Sequence, residues 1–340
     1  MTMDTHAVWF TDERVAEVLE ESVPNNVGPE DILVRARRSL ISAGTEMTVY
    51  RGERDTDGQL AGAHTASDEL FPIKYGYQVV GKVVEAGTDS GFTVGDMVFA
   101  YHPHQSRFVL HRDRAYPVPK DLPLEAAAFG NLYCVAMTAL LDAPVRPGDV
   151  VVVTGAGVVG ALAATIARRT AGTLILVEPI ESRAQRAAAL CNPDAVVHPD
   201  KAIDVINELS GGRGADVWVE ASGSPAALQL SLRAIGVEGT IVVASYFGNR
   251  TVPLTLSTDF LTRRPRIVSS FVSYLGSGLQ PRWDARRRMA YAMKDLARID
   301  VQSLITHQMP FADAGSCYRL IDNSPNETMA VLLDYDVAPD

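Results

Sequence analysis

The feature that most constrains the fold is an apolar run followed directly by glycines. Val150–Thr154 leads into Gly155-Ala156-Gly157-Val158-Val159-Gly160. An apolar run without alternation is typical of a strand buried on both faces, as in a parallel sheet. The spacing predicts a tight turn at Gly155, close approach of a pyrophosphate at Gly157 and close helix–strand packing at Gly160. Because the next helix would begin with free N–H groups, this segment predicts a dinucleotide-binding unit.

An acidic residue follows at the distance such a unit requires. Glu178 ends the next predicted strand, about 20 residues after the glycines, where a carboxylate accepts hydrogen bonds from an adenosine ribose. The same charge would repel a 2′-phosphate, so Glu178 favours NAD(H) over NADP(H). Arg183 lies close behind it and could accept a phosphate, which leaves NADP(H) open.

Strands and helices alternate from this point, which indicates a doubly wound α/β domain with a parallel sheet. The predicted strands are Val150–Thr154, Thr173–Val177, Asp216–Glu220, Thr240–Ala244 and Arg266–Tyr274, and the predicted helices are Val158–Thr170, Ser182–Leu190 and Pro225–Ile235.

The first ~120 residues instead read as short strands separated by glycine, proline and acidic residues, typical of a partly open barrel. The predicted strands here are Val8–Phe10, Asp31–Ser42, Val79–Ala86 and Met97–Tyr101. Arg51–Ser67 is polar and predicts a loop that could cover a site. A helix is predicted at Leu124–Asp142. The tail, with a helix at Asp284–Arg298 and a strand at Thr328–Tyr335, is expected to return to the first domain.

Composition narrows the range of partners. The 340 residues carry a net charge of −10, which disfavours nucleic acid and anionic membranes as partners. The three cysteines share no CxxC spacing, which fits a reducing cytoplasm. No apolar stretch reaches the roughly 20 residues of a membrane helix. We therefore expect a cytoplasmic protein that acts on a small molecule.

The order of parts, together with several local motifs, resembles the medium-chain dehydrogenase/reductase family. The motifs are Ser42-Ala43-Gly44-Thr45-Glu46, Gly76-Tyr77-Gln78-Val79-Val80-Gly81, Gly95-Asp96-Met97-Val98, Pro147-Gly148-Asp149 and the glycine turn. The resemblance implies α/β architecture: a GroES-like β-barrel catalytic domain (1–134 with 271–340) and a Rossmann cofactor domain (135–270), with substrate in the cleft between them. It also implies a homodimer, for which Arg266–Tyr274 is the candidate edge strand.

The chain departs from this family where zinc-dependent members bind their catalytic metal. Ala43 stands where those members have a cysteine, and Tyr77-Gln78 stands where they have His-Glu. Cys134 matches a further ligand position, but one thiol cannot supply the three protein donors of a catalytic zinc site. The resemblance is therefore to a zinc-independent branch, and we predict no bound zinc.

Without zinc, another group must stabilise charge on the substrate oxygen. Tyr77 could donate a hydrogen bond to it, Thr45 matches the hydroxyl residue that relays protons in the family, and Gln78 could orient either group. The alternatives are that Tyr77 only fills the vacated metal pocket and that Thr45 bonds only within its turn. Glu46 matches the family's bracing acid and is expected to be structural.

The resemblance also implies the remaining cofactor contacts. Thr138 and Val159 would lie at the nicotinamide, Val158 of the glycine turn would also bind the cofactor, and residues after two strand ends (Ser222, Gly223, Ser245 and Tyr246) would line the dinucleotide. His102 and His104 are one residue apart, so their side chains should point to opposite faces of a strand rather than chelate one ion. We expect them in surface or loop positions.

The resulting hypothesis is a zinc-independent NAD(P)-dependent oxidoreductase that transfers hydride between nicotinamide and an alcohol or carbonyl substrate. Two alternatives stay open: reduction of an activated C=C bond, as in enoyl and quinone reductases of the family, and a non-catalytic NAD(P)-binding sensor. The sequence leaves the substrate unidentified.

Overall fold

The computed structural model describes residues 2–53, 71–143, 145–248 and 250–336. The chain divides into two compact units: a β-rich unit, Met1–Asn131 with Arg286–Asp340, and a parallel-sheet unit, Leu132–Ala285. The second boundary lies later than the sequence-based 270/271. Ser270, which follows β14, is still tied to the parallel sheet, because its N–H donates to the carbonyl of Val243 at 2.9 Å.

The strands are β1 Thr2–Asp12, β2 Val15–Pro24, β3 Asp31–Ile41, β4 Ile73–Lys74, β5 Val79–Ala86, β6 Met97–Ala100, β7 Arg107–His111, β8 Ala115–Pro117, β9 Val150–Thr154, β10 Thr173–Val177, β11 Ala195–Val197, β12 Ala215–Glu220, β13 Ile235–Val243, β14 Arg266–Ser269, β15 Ile305–Pro310 and β16 Ala330–Asp334. The helices are α1 Thr45–Tyr50, α2 Leu124–Ala127, α3 Gly130–Asp142, α4 Val158–Ala167, α5 Glu181–Cys191, α6 Ala202–Ser210, α7 Pro225–Ala234, α8 Thr258–Arg263, α9 Ala285–Leu296 and α10 Ala314–Asn323. Short 3-10 turns occupy Arg112–Arg114, Pro199–Lys201, Val301–Leu304 and Phe311–Asp313.

The parallel-sheet unit is built on one six-stranded sheet in the order β11-β10-β9-β12-β13-β14. Its strand pairs are parallel. The strand order reverses at β9, which places the glycine turn at the switch point where open α/β sheets bind ligands. Every residue of β9 is buried, because a central strand is covered by helices on both faces. The α/β fold class is confirmed.

The β-rich unit contains a mixed seven-stranded sheet and a three-stranded sheet of β2, β1 and β4. β3 is central to the larger sheet, since it pairs antiparallel with β5, β7 and β16. The tail of the chain thus returns to this unit through β16. Aromatic rings fill the core beneath α1: Phe10 meets Tyr318 edge-on at 4.9 Å, and Tyr50 stacks on Tyr318 at 5.5 Å.

Several elements differ from the sequence-based expectation. The single helix predicted at Leu124–Asp142 is divided into α2 and α3, because the N–H of Phe129 bonds three residues back to Ala126 and tightens the turn. β14 ends at Ser269, short of the predicted Tyr274. The sequence pattern did not predict helices α1, α6, α8 and α10. Most of the predicted Arg51–Ser67 loop lies outside the described residues. Among the helices that the structure describes, none has the length and apolar character needed to cross a bilayer.

Candidate active and cofactor site

The glycine turn has the geometry expected for a dinucleotide phosphate site. Gly155 has a φ of +85°, and a Cβ there would lie 2.7 Å from the Cα of Ser222. A Cβ on Gly160 would lie 1.8 Å from the carbonyl oxygen of Gly155, so only glycine permits this contact between helix and turn. A Cβ on Gly157 would meet nothing within 4 Å among the described residues. The turn is therefore closed on its protein side and open where a pyrophosphate would approach.

The start of α4 is available to an anion. Gly157 is its N-cap residue and contributes no side-chain hydrogen bond, so no side chain of the cap competes for the first N–H groups. Val158 and Val159, the next two residues, are partly exposed. The residues present fit a pyrophosphate held by backbone N–H groups and the positive end of the helix dipole.

Glu178 lies next to the glycine turn, as its position in the sequence predicted. One carboxylate oxygen accepts from the N–H of Ala156 at 2.6 Å, and the other accepts from the N–H of Ile180 at 2.9 Å. Arg183, in the first turn of α5, is partly buried. Burial lowers the pKa of Arg183, and the negative charge of Glu178 acts in the opposite direction. Glu178 and Arg183 thus form a linked pair of charges at the end of β10.

The segments after β12 and β13 lie at the same carboxyl edge of the sheet. They contain Ser222, Gly223, Ser245 and Tyr246, and all but the buried Gly223 are at least partly exposed. Glu220, the fully buried last residue of β12, accepts hydrogen bonds from both segments. Thr138, also fully buried, donates to the carbonyl of Cys134 within α3 at 2.6 Å.

The β-rich unit brings three hydroxyls together at the predicted catalytic position. The hydroxyl of Tyr77 is hydrogen bonded to the side chains of Ser42 and Thr45. Burial raises the pKa of Tyr77 well above its ordinary value, and the charge of Glu46 adds to this, while the two hydroxyl partners lower it in part. Tyr77 therefore stays protonated at neutral pH and is able to donate a hydrogen bond.

A buried hydrogen-bond network lies beside these hydroxyls. Glu46 is fully buried; one of its oxygens accepts from the N–H of Ser42 at 3.0 Å, and the other lies 3.0 Å from Nε2 of His104 and 2.6 Å from the hydroxyl of Tyr318. The Nδ1 of His104 lies 2.8 Å from Oγ of Ser39. The bracing role expected for Glu46 has a histidine partner here, but that histidine comes from the segment after β6.

His102 and His104 lie in the loop between β6 and β7, one of the two settings expected for them, but His104 is far from the surface. His104 is fully buried, and His102 is half-buried and stacks on Phe108 with ring centroids 3.8 Å apart. Their side chains point to different surroundings, as the spacing predicted. Little in the sequence signals the burial of His104, since polar residues beside a proline are typical of an exposed turn.

Gln78 is occupied by the backbone rather than by the other predicted catalytic groups. It is fully buried, and its Nε2 donates to the carbonyl of Leu40 at 2.8 Å. Its Oε1 is buried and has no hydrogen-bond partner among the residues described. The side chain therefore links the residue before β5 to the end of β3.

The donor set does not fit a catalytic zinc. Ala43 has no donor atom, Tyr77 is bonded to Ser42 and Thr45, and the amide of Gln78 bonds backbone. Within the ranges that the structure describes, no group of three or more histidine, cysteine, aspartate or glutamate side chains could hold a metal ion. Zinc needs thiolate, imidazole or carboxylate ligands, and the residues at these positions do not supply them.

Sequence reasoning missed three residues that organise these sites: Ser42, His104 and Glu220. For Glu220 a signal existed, because β10 and β12 are both apolar strands followed or ended by glutamate at the same edge of the sheet. A charged residue at the end of a buried strand needs several hydrogen-bond donors around it. For Ser42 the only signal is its place at the start of the Ser42-Ala43-Gly44-Thr45-Glu46 motif.

Comparison with known proteins agrees with this architecture. Residues 158–286 match the family model described as zinc-binding dehydrogenase. D-guloside 3-dehydrogenase of Escherichia coli K12 is 28% identical over 344 residues, covering 94% of this chain and 97% of the relative. L-threonine 3-dehydrogenase of Pyrococcus furiosus is 24% identical and covers 86% of this chain and 88% of its own.

A solved structure extends the comparison to the fold. A Sinorhizobium meliloti 1021 protein, named as a zinc-binding dehydrogenase and bound to NADP, superposes with a TM-score of 0.77 at 20% identity, covering 98% of this chain and 99% of its own. The strand order, the glycine turn and sequence similarity along nearly the whole chain agree, and in these respects this protein is similar to the zinc-binding dehydrogenases.

Proposed function

We propose that this protein is an NAD(P)-dependent dehydrogenase that interconverts an alcohol and a carbonyl compound without zinc. The observation that carries the proposal is the glycine turn, which is sterically closed at Gly155 and Gly160 and open at Gly157. Bound nicotinamide would supply the hydride chemistry, and the protein would bind, orient and protonate. The names of the relatives support alcohol oxidation, since they are dehydrogenases of hydroxyl-bearing substrates.

The proposed electrophilic group is the hydroxyl of Tyr77. It would donate a hydrogen bond to the substrate oxygen, where charge develops as hydride leaves or arrives. Its raised pKa keeps that proton in place at neutral pH. Thr45 and Ser42 hold the phenol oxygen, and Thr45 is partly exposed, so its hydroxyl could pass a proton between substrate and solvent.

We propose NAD(H) as the preferred cofactor because Glu178 presents a carboxylate beside the glycine turn. A 2′-phosphate at that position would be repelled by the carboxylate. Arg183 could instead bind a 2′-phosphate, which would favour NADP(H). The Sinorhizobium protein of the same fold is bound to NADP. The relative affinities for NAD and NADP test this assignment.

We propose a homodimer formed through β14. In the described residues β14 is the last strand of the parallel sheet, and its Ile267 is 41% exposed. An apolar edge strand with unpaired backbone groups is a surface on which a second copy can extend the sheet. Light scattering that gives the mass of one chain at micromolar concentration would contradict this.

The test of function uses purified protein treated with EDTA. Zinc content is measured by mass spectrometry, NADH and NADPH binding by fluorescence titration, and turnover at 340 nm with sugar derivatives, sugar alcohols and L-threonine. We expect activity that survives EDTA with far less than one zinc per chain. Stoichiometric zinc whose removal abolishes activity would overturn the proposal, and a matched enone and ketone pair separates C=C from carbonyl reduction.

Two variants test the role of the hydroxyls. Tyr77→Phe and Thr45→Ala should each lower kcat by about 10²-fold, the typical effect of removing a donor to a developing oxyanion. Tyr291→Phe, which changes an exposed residue of α9, is the matched control. Cofactor binding without turnover of any substrate in the panel would instead support a non-catalytic sensor.

A further inference from the structure

The buried carboxylate of Glu220 connects two segments at the carboxyl edge of the parallel sheet. Its Oε1 accepts from the N–H of Ser222 at 2.8 Å, the N–H of Gly223 at 3.1 Å and the hydroxyl of Ser222. Its Oε2 accepts from the hydroxyl of Ser245. Glu220 therefore fixes the positions of the segments that follow β12 and β13.

These segments are in register with each other and with the glycine turn. Glu220 pairs with Val243 in the sheet, and the N–H of Ala244 donates to the carbonyl of Glu220 at 2.9 Å. The backbone of Ser222 packs closely against the glycine turn, since a Cβ on Gly155 would lie 2.7 Å from the Cα of Ser222. Movement of the Ser222 segment would therefore disturb both the turn and the edge beyond it.

The chemistry of the carboxylate matches its surroundings. An ionised carboxylate only accepts hydrogen bonds, and its side-chain and backbone partners here are all donors. Burying such a group is costly unless donors compensate for the lost water. Glu220 is fully buried and compensated, so removing it would leave two backbone N–H groups and two hydroxyls to find other partners.

The strand order assigns Glu178 and Glu220 to different halves of the site. β10, which precedes Glu178, lies on one side of β9, and β12 with β13 lies on the other. A dinucleotide that spans the switch point and places its adenosine ribose at Glu178 must place its other half over β12 and β13.

We propose that Glu220 is a positioning residue for the nicotinamide half of the cofactor, acting through Ser222, Gly223 and Ser245. The proposal rests on the dinucleotide-binding function proposed above. Loss of Glu220 should weaken the binding of ligands that contain nicotinamide and leave unchanged the binding of ligands that contain only the adenosine half.

The experiment measures dissociation constants of NADH by fluorescence and of ADP by calorimetry, for wild type and four variants. Glu220→Ala removes the acceptor, Glu220→Gln keeps one oxygen in place, Ser245→Ala removes only the link to the second segment, and Glu208→Ala changes an exposed acid of α6 as a control. Circular dichroism and urea unfolding establish that each variant is folded.

We expect Glu220→Ala to raise the dissociation constant of NADH by about tenfold or more and that of ADP by less than about twofold, since one buried charge-assisted hydrogen bond is worth about a factor of ten. Ser245→Ala should raise the constant for NADH by about threefold. The dissociation constant of NADH for Glu220→Gln should lie between those of wild type and Glu220→Ala. The amide oxygen of glutamine can still accept from Ser222 and Gly223, but its amide nitrogen faces Ser245 as a donor and cannot accept the hydroxyl proton.

The outcomes are distinguishable. Wild type that binds neither NADH nor NADPH removes the proposed function itself. Wild-type binding with unchanged NADH affinity in Glu220→Ala, equal losses for NADH and ADP, or Glu220→Gln weaker than alanine would each overturn the role of Glu220. If Glu220→Ala does not fold, Ser245→Ala decides: selective loss of NADH supports the proposal, and no loss contradicts it.

Discussion

The Nε2 of His104 lies 3.0 Å from Oε2 of Glu46, and both side chains are completely buried. In zinc-dependent relatives, as the family resemblance implied, the acid at the position of Glu46 braces a metal-binding histidine. In this chain Tyr77 stands at the position that the resemblance assigns to that histidine, and the imidazole beside the acid belongs to His104, in the segment after β6. Glu46 also accepts from the N–H of Ser42 and the hydroxyl of Tyr318, and so holds the start of α1 to α10.

The side chain of His104 leaves no room for a Cβ at Gly76. A Cβ on Gly76 would lie 2.5 Å from Cδ2 of His104, and Gly76 has a φ of +108°. We expect Gly76→Ala to lower the free energy of unfolding by about 3 kcal/mol, from backbone strain and overpacking together. Gly95→Ala is the matched control: its φ is +104° but its Cβ would meet no described atom within 4 Å, so only the strain, about 1 kcal/mol, should appear. Equal losses in urea unfolding would show that His104 moves aside.

Substitution of Gly157 in the glycine turn should affect cofactor binding but not the stability of the fold. Gly157 has a φ of −67°, which alanine adopts readily, and open space around its Cβ. Gly157→Ala should therefore change the free energy of unfolding by less than about 1 kcal/mol, but should weaken NADH by about tenfold or more because the methyl group occupies the phosphate approach.

Gly160→Ala provides the contrast to Gly157→Ala. Its Cβ would lie 1.8 Å from the carbonyl oxygen of Gly155, so this variant should lose stability as well as affinity. Urea unfolding and fluorescence titration measure the two effects. NADH affinity at the wild-type level in Gly157→Ala would mean that the phosphate does not approach there.

Replacement of Glu178 should change cofactor choice. Glu178→Ser removes the carboxylate beside the turn, so the ratio of the dissociation constants of NADP and NAD should fall by about tenfold or more, since close like charges cost several kcal/mol. The ratio is the informative quantity because the loss of the bond to Ala156 weakens both ligands. An unchanged ratio, with Glu208→Ser as control, would assign the discrimination to other residues.

His102 should make the protein sensitive to acid. Burial lowers the pKa of His102 to about 3, below the ordinary 6.5, despite its hydrogen bond to the carbonyl of Pro103. Between these values the unfolded chain binds a proton that the folded chain excludes, so stability falls as pH falls from about 6.5 towards 3. The slope from this one group is at most about 1.4 kcal/mol per pH unit, less where water reaches the ring.

The matched variant for this effect is His102→Phe, which keeps the stacking on Phe108 and removes the titration. We expect its urea-unfolding free energy to fall less than that of wild type between pH 7 and pH 5. Parallel pH profiles for the two proteins would contradict the assignment of the titration to His102.

The sequence alone determined two central strands of the parallel-sheet unit and the glycine turn that follows the first of them. The predicted strands Val150–Thr154 and Thr173–Val177 are observed with the same bounds, because a continuous apolar run is buried on both faces and leaves little freedom in its length. The glycine spacing predicted the turn for the same local reason: glycine adopts the positive φ of Gly155 without strain, and only glycine lacks the Cβ that would clash at Gly160. The lack of zinc donors at Ala43, Tyr77 and Gln78 could likewise be read from residue types.

Tertiary structure decided which polar side chains meet. His104 and Glu46 are far apart in the chain, and so are Glu46 and Tyr318, and no local pattern announces their contact. Polar residues at turns are usually solvated, and only the pairing of strands and helices distant in sequence buries them and supplies their partners. The same holds for Glu220, because the neighbouring strands β12 and β13 bring Ser222 and Ser245 to one carboxylate.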